Sequence, residues 1–137
     1  MILKDIRKEL GLTQKAFGDK FHIGVQNIKN WEQGLNTPLE YVVYMIRTIL
    51  EQEKTIQALK EKFGGSYISN PFFLNFTCIK DLRLATGLSQ DKFSNKFCIP
   101  LTNIHNWEQG INKPYEYVFF MVQTILENEK IINELCN

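Results

Sequence analysis

The chain has 137 residues, 44% of them apolar, a composition that excludes a disordered tail and suits one ordinary globular domain or two very small ones. Its apolar runs fall far short of the ~20 residues that cross a bilayer, and no charged-then-apolar leader opens it, so we expect a cytoplasmic protein. The three cysteines form no C-x-x-C pair, so the sequence favours neither a disulfide framework nor a zinc site. Because 16 Lys and Arg nearly balance 15 Asp and Glu, any binding of nucleic acid must depend on where the charges lie.

An internal repeat organises the sequence. Residues 3–56, the first copy, align without a gap on residues 79–132, the second copy, and 30 of the 54 positions are identical. Two copies are too few for a stacked solenoid. We therefore predict two tandem domains, at 1–63 and 77–137, joined by a linker at 64–76 in which a Gly-Gly-Ser run interrupts the helical pattern.

Each copy is predicted to begin with two short helices. In the first copy, apolar residues recur every four positions from Ile2 to Leu10 and a glycine follows, which predicts an amphipathic helix with a glycine stop. Thr13 is then a suitable N-cap for a second helix over residues 14–21. The same pattern, with serine as the cap, predicts the equivalent helix over residues 90–97.

The third helix is predicted to be short and the fourth to be long. The third opens at Gly24, or at its counterpart Pro100, and ends at the next glycine. The fourth starts at Pro38 or Pro114, because proline is well suited to the first position of a helix, and residues 37–40 form a capping box in the first copy.

The apolar pattern is helical throughout. No segment alternates for long enough to predict a strand, so we predict an all-α protein. A domain of about 60 residues buries only ~60% of the surface that its unfolded chain exposes, so we expect the apolar stripes of the two long helices to pack on each other. The aromatic segment at 70–76 is interpreted as filling a seam between the domains, with a hook for a partner protein as the alternative.

The second and third predicted helices carry the same short pattern in both copies. Gly-Leu-Thr-Gln at 11–14 matches Gly-Leu-Ser-Gln at 87–90, a phenylalanine follows three residues later, and Trp-Glu-Gln-Gly stands at 31–34 and 107–110. This pattern resembles the lambdoid repressor and Cro-like helix-turn-helix family, also called the xenobiotic-response-element type. The resemblance implies two repressor-like domains, each of four main helices with an extended last helix, that bind double-stranded DNA.

The third helix has one side suited to a core and one side suited to DNA. Ile28, Trp31 and Glu32 share the first side, whereas the opposite side carries amide groups and a cation. Amides can pair with adenine in the major groove, so we expect an A·T-leaning site. Together with the positions that the resemblance implies, the candidate base contacts are Val25, Gln26, Lys29 and Asn30 in the first copy and Leu101, Thr102, His105 and Asn106 in the second.

The resemblance also implies contacts with the DNA backbone and a structural ion pair. An amide at the start of the second helix would meet a phosphate together with the helix N-terminus. The candidate phosphate contacts are Gln14, Lys15, Gln33, Gln90, Lys92 and Gln109. The implied ion pairs are Arg7 with Glu32 and Arg83 with Glu108. We assign both pairs to stability, because removing one partner of a buried pair is strongly destabilising.

These observations favour a sequence-specific DNA-binding transcription regulator, a repressor encoded by a bacterium or a phage, whose two recognition helices imitate a dimer. Because the copies differ at the candidate base contacts, its site should be an imperfect palindrome. The alternative is a protein-interaction module, such as an antitoxin or an inhibitor of a defence complex, since the net charge is only +1 and the acidic residues gather in the long helices. A homodimer through the long helices and binding of structured RNA are further alternatives.

Histidine and cysteine residues form no pattern that the two copies share. His22 aligns with Cys98, and His105 aligns with Lys29. Cys98 with His105 lacks the third, orienting residue of a nucleophilic site. We therefore expect no enzyme activity, no metal site and no cofactor.

Overall fold

The computed structural model describes residues 2–64 and 67–137, so Met1 and, within the predicted linker, Gly65 and Ser66 lie outside the described residues. All regular elements in the described ranges are helical, which confirms the all-α prediction. In chain order the helices are α1 (Ile2–Glu9), α2 (Gln14–Phe21), α3 (Val25–Glu32), α4 (Glu40–Phe63), α5 (Ile79–Thr86), α6 (Gln90–Phe97), α7 (Leu101–Gln109) and α8 (Glu116–Cys136), with a 3-10 helix at Phe73–Asn75 before α5. No helix in these ranges has the length and apolar character needed to cross a membrane.

α2 and α6 begin and end at the predicted residues. The Thr13 hydroxyl accepts a hydrogen bond from the backbone N–H of Ala16 at 3.0 Å, and the Ser89 hydroxyl accepts one from the backbone N–H of Lys92 at 3.2 Å. Each hydroxyl satisfies one of the N–H groups that the first turn of a helix leaves without a partner. The predicted N-cap is confirmed, and the two copies enter this helix in the same way.

α4 and α8 begin two residues later than predicted. Leu39 and its counterpart Tyr115 have ψ angles of 146° and 147° and act as the N-caps, without a side-chain hydrogen bond. The Leu39 carbonyl accepts the first helical hydrogen bond, from the N–H of Val42 at 3.0 Å. Because the extended backbone at Leu39 separates Thr37 and Pro38 from the helix, the predicted proline start and the capping box are wrong.

The turn between α2 and α3 passes so close to α2 that position 18 of that helix has room for little or no side chain. A Cβ atom on Gly18 would lie 2.5 Å from the carbonyl oxygen of Ile23. His22 lies between these two residues with a left-handed φ of 60°. In the second copy Ser94 takes the place of Gly18, and its hydroxyl donates to the carbonyl of Ile99. The two turns therefore follow similar paths with different contacts.

Replacing Gly18 with alanine is expected to destabilise the protein by about 1–3 kcal/mol, because the added methyl group overpacks the turn against a backbone oxygen. Urea unfolding measures the loss. The control is Gly24→Ala, since a Cβ atom at Gly24 meets no atom within 4 Å and its φ of −56° suits alanine. Equal unfolding midpoints for the two variants would show that the turn relaxes without cost.

α4 and α8 pack on each other, as expected from their apolar stripes. The buried apolar side chains of the two helices are Tyr41, Val42, Met45, Ile46 and Ile49 on α4 and Tyr117, Val118, Met121, Val122, Ile125 and Leu126 on α8. They belong to one apolar cluster that contains residues of both copies. Each copy thereby obtains burial that a domain of its size lacks alone.

The two long helices run in the same direction. Near the start of α8, burial, together with the nearby phenols of Tyr115 and of Tyr41 at the start of α4, raises the pKa of Tyr117 to about 12. In the middle of the pair the Asn128 amide donates to the Gln52 side-chain carbonyl at 3.1 Å. The first turns of the two helices lie close together, and Gln52 contacts its equivalent, Asn128, in the middle. α4 and α8 are therefore parallel.

The aromatic segment at 70–76 packs on α8. The backbone N–H groups of Phe72 and Phe73 donate to Oε1 of Glu127 at 2.7 and 2.8 Å. The Gln123 amide donates to the carbonyls of Phe73 and Phe76 at 3.1 and 2.9 Å. The expectation of a seam between the domains is therefore wrong, because two buried polar side chains of α8 hold the segment within the second copy.

Candidate nucleic-acid interface

α3 has one buried side and one accessible side. Ile28 and Trp31 are buried in the core, as expected for these residues. Of the four candidate base contacts on this helix, Gln26 and Lys29 are exposed, and Val25 and Asn30 are half-buried. The accessible side thus presents two amides and a cation beside a partly covered apolar residue.

Gln26 and Asn30 form a joined amide pair on the accessible side of α3. Nε2 of Gln26 donates to Oδ1 of Asn30 at 2.9 Å. Residues four apart are neighbours on one face of a helix, which brings the two amides together. Because Oδ1 of Asn30 faces Gln26, the NH2 group of Asn30 is turned away from Gln26.

α7 presents a different surface in the second copy. Ile104 is buried, as its counterpart Ile28 is. Of the four candidate base contacts on α7, Thr102 is exposed, and Leu101, His105 and Asn106 are half-buried. Asn106 is therefore equivalent to Asn30, but the hydroxyl of Thr102 replaces the Gln26 amide that contacts Asn30 in the first copy.

The candidate phosphate contacts divide into two groups. The amides of Gln14 and Gln90 are turned onto carboxylates, since their Nε2 atoms donate to Oε1 of Glu32 at 3.1 Å and of Glu108 at 3.2 Å. The other candidates, Lys15, Gln33, Lys92 and Gln109, are exposed, and Lys15 also contacts Asp19 at 2.8 Å. The side chains of Gln14 and Gln90 thus also join the first turns of α2 and α6 to the carboxylates of Glu32 and Glu108.

A bidentate ion pair ties α1 to α3, and an equivalent one ties α5 to α7. Nε and Nη2 of Arg7 donate to the two carboxylate oxygens of Glu32 at 2.7 and 2.8 Å, and Nη1 donates to the Leu12 carbonyl at 2.9 Å. Arg83 and Glu108 repeat this geometry, with carboxylate distances of 2.7 and 2.9 Å. Paired N–H···O bonds of this kind are among the strongest that side chains form.

Acid is expected to weaken these ion pairs. Hydrogen bonds from the guanidinium groups hold the pKa of Glu32 and of Glu108 below the usual 4.5. A carboxyl whose pKa is lowered by folding contributes stability that is complete above its unfolded pKa and is lost as the pH falls through its folded pKa. Thermal unfolding between pH 7 and pH 3 measures the loss, and the double variant Glu32→Gln with Glu108→Gln should show a shallower pH dependence. The same slope in both proteins would contradict this origin.

A second pair of contacts occurs in both copies and was missed by the sequence analysis. Nζ of Lys20 lies 2.9 Å from Oε2 of Glu53, and Nζ of Lys96 lies 2.6 Å from Oε2 of Glu129. The signal was present in the repeat, because both copies keep the lysine and the glutamate at the same separation. These pairs join α2 to α4 and α6 to α8, and they offset the charge of one lysine in each copy.

Comparison with known proteins supports a helix-turn-helix assignment for the first copy. No curated protein and no solved structure matches the chain. The model of the helix-turn-helix family matches residues 3–51, which contain most of α1, all of α2 and α3, and the first half of α4.

Proposed function

We propose that the chain is a sequence-specific, double-stranded-DNA-binding transcription regulator, a repressor that is encoded by a bacterium or a phage and acts in the bacterial cytoplasm. The observation that carries the proposal is the amide pair of Gln26 and Asn30 on α3, inside the segment that matches the helix-turn-helix family. The second helix of such a unit enters the major groove, where an amide pairs with adenine. We assign Val25 to pack on a thymine methyl group, which makes the proposed site A·T-leaning.

We propose that α7 acts as a second recognition helix, in a second domain at 77–137 that follows a first domain at 1–63 and a linker at 64–76. Support comes from the 30 identical positions of the repeat and from the equivalent ion pair of Arg83 with Glu108. Because Thr102 replaces Gln26, the two halves of the proposed DNA site differ at the step that these residues face, and the palindrome is imperfect.

The packing of the two copies supports a covalent pseudo-dimer. The Trp31 ring at the end of α3 lies 6.3 Å from the Tyr117 ring of α8, and the Tyr41 ring of α4 lies 6.5 Å from the Trp107 ring at the end of α7. These reciprocal contacts lie at the starts of the two parallel long helices, so both proposed recognition helices lie near one end of the pair. The proposal requires one duplex, laid across that end, to meet both helices, and joining two such contacts is worth ~10²–10⁴ in avidity.

The central parts of the long-helix stripes that suggested a homodimer are used within the chain, whereas Phe63 at the end of α4 is exposed. Ile49 and Ile125 are buried against the shared core, so they are not available to a second chain. The proposed partner is therefore duplex DNA bound by one chain. Phosphate contacts are assigned to Lys15, Lys92, Gln33 and Gln109, and to Gln14 and Gln90 through the amide hydrogen that does not face a glutamate.

Selection from random duplexes with the full-length protein at low salt tests the proposal. The expected product is an A·T-rich imperfect palindrome whose half-sites are about one helical turn apart. Affinity for it should fall with salt, with a slope of about 0.9 in log units for each phosphate contact. No enriched sequence would contradict the proposal and favour the protein-interaction module, an antitoxin or an inhibitor of a defence complex.

A further inference from the structure

We propose that the groove between α1 and α4 binds a short aromatic segment of another protein, in the way that the second copy holds its own linker. The second copy, which binds the linker of the same chain, shows how such a segment is held. In the second copy the linker residues Phe72 and Phe73 line a cavity together with Ala85 on α5 and Leu126 on α8. The groove between α1 and α4 is the same place in the first copy, shifted by 76 residues.

The second copy holds the linker mainly through its backbone. Glu127 accepts from the N–H groups of Phe72 and Phe73, and Gln123 donates to two carbonyls of the segment. Lys130 donates to the Asn70 carbonyl at 2.7 Å. Contacts with backbone groups do not depend on the identity of the side chains in the segment, and the aromatic side chains supply the apolar burial.

The first copy keeps these groups and leaves them on the surface. Glu51 and Lys54 stand where Glu127 and Lys130 do, and in the first copy they are exposed and contact each other at 3.5 Å. Arg47, also exposed, replaces Gln123 and retains the capacity to donate to carbonyls. The acceptor and the donors that fix a segment are thus all present on α4.

This groove has an apolar floor with an acidic rim, since Glu9 lines it at the position of Ala85. Leu10 replaces Thr86 and is 41% exposed, and Ile2, at the other end of α1, is 50% exposed. With Ile6 and Leu50 these side chains line a groove of about 500 Å³. An aromatic segment would cover them, as the linker covers the second copy.

The chain's own linker is not the proposed occupant. Its backbone is already bound to Glu127, whose carboxylate is buried, and releasing it would leave that charge without its two N–H donors. A second copy of this chain would pay the same cost to insert its linker. A segment from another protein has no such bond to break.

A synthetic peptide with the sequence of residues 69–77 is the probe, capped at both ends and titrated into the full-length protein without DNA. We expect saturable binding of one peptide for each chain, weakened at least about tenfold by Leu10→Glu and by Glu51→Gln. Both side chains are exposed or partly exposed, so the variants should fold, and unchanged unfolding midpoints check this. The matched control is Leu35→Glu, since Leu35 is exposed and lies outside the groove.

Three results of the titration would overturn the proposal. They are no binding, binding that is equal in Leu10→Glu and in the unaltered protein, and binding that Glu127→Gln weakens while Glu51→Gln does not. Sedimentation provides a further test. A dimer that Leu10→Glu abolishes would show that the groove holds the linker of a second chain, and this result would overturn the proposal as well. Because the titration contains no DNA, its failure leaves the proposed regulator function standing.

Discussion

Alanine at four side chains of α3 and α7 is expected to lower the affinity for the selected duplex by at least about a hundredfold, because each lost amide-to-adenine pair removes ~1–3 kcal/mol. The four are Gln26, Asn30, Thr102 and Asn106. All lie outside the buried core, so the unfolding midpoint should not change. Fluorescence anisotropy of a labelled duplex at one fixed salt concentration measures the affinity.

The matched control is Gln57→Ala on α4. Nε2 of Gln57 donates to Oε1 of Glu61, four residues on, at 2.9 Å, so this variant also removes an exposed amide and its hydrogen bond. It lies outside the proposed interface, and its affinity for the duplex should equal that of the unaltered protein. If the fourfold variant bound as tightly as this control, α3 and α7 would not be the DNA-contacting helices.

Altering one copy at a time separates linked from independent recognition. With Gln26→Ala and Asn30→Ala alone, a covalent pseudo-dimer loses avidity as well as the contacts themselves, and the remaining preference follows the half-site of α7. Independent domains would instead lose binding at one half-site and keep their full affinity at the other. Duplexes with one half-site scrambled distinguish the two cases.

Local helix signals were sufficient to predict most of the fold. Glycine stops, N-cap hydroxyls and apolar spacing act within one or two turns, and α2 and α6 lie at the residues that they predict. The start of α4 was wrong because a local rule was applied at a place that packing controls. Tyr41, in the first turn, is buried against the core, and the extended Leu39 lies two residues before it.

The surroundings of polar side chains were harder to predict. Glu51 and Glu127 occupy the same position of the repeat, yet the first is exposed and the second is buried beneath the linker. Nothing in the residue type distinguishes them, because the difference comes from where a distant segment lies. The same holds for Gln14, whose amide suits a phosphate or a carboxylate equally well and is turned onto Glu32.

Replacing Arg7 with methionine is expected to destabilise the protein by about 3–5 kcal/mol, because it leaves a buried carboxylate without its cation. The Glu32 side chain is 5% exposed, and the Leu12 carbonyl would also lose its donor. Such a loss is a large part of the ~5–15 kcal/mol that holds a typical domain folded, and it should lower the melting temperature by roughly 10–20 °C. Circular dichroism during heating measures it.

An exposed ion pair in the same copy provides the control. Lys15 and Asp19 contact each other at 2.8 Å, but their side chains are 71% and 65% exposed. Water and salt screen such a pair, so Lys15→Met should change the stability by less than about 1 kcal/mol. The double variant Arg7→Met with Glu32→Leu should recover part of the loss, because it removes the stranded charge together with its partner.

The shape of the melting curve tests whether the two copies are one folding unit. Arg7 lies in the first copy and Arg83 in the second, but the apolar cluster that each ion pair supports contains residues of both. If that shared core couples the copies, Arg7→Met and Arg83→Met should each shift a single transition to lower temperature. A melting curve that splits in two, with one step at the original midpoint, would show that the copies unfold separately and that the packing of α4 on α8 contributes little. Because the proposed recognition of two half-sites needs α3 and α7 to be held in a fixed relation, such a split would also weaken the case for a covalent pseudo-dimer.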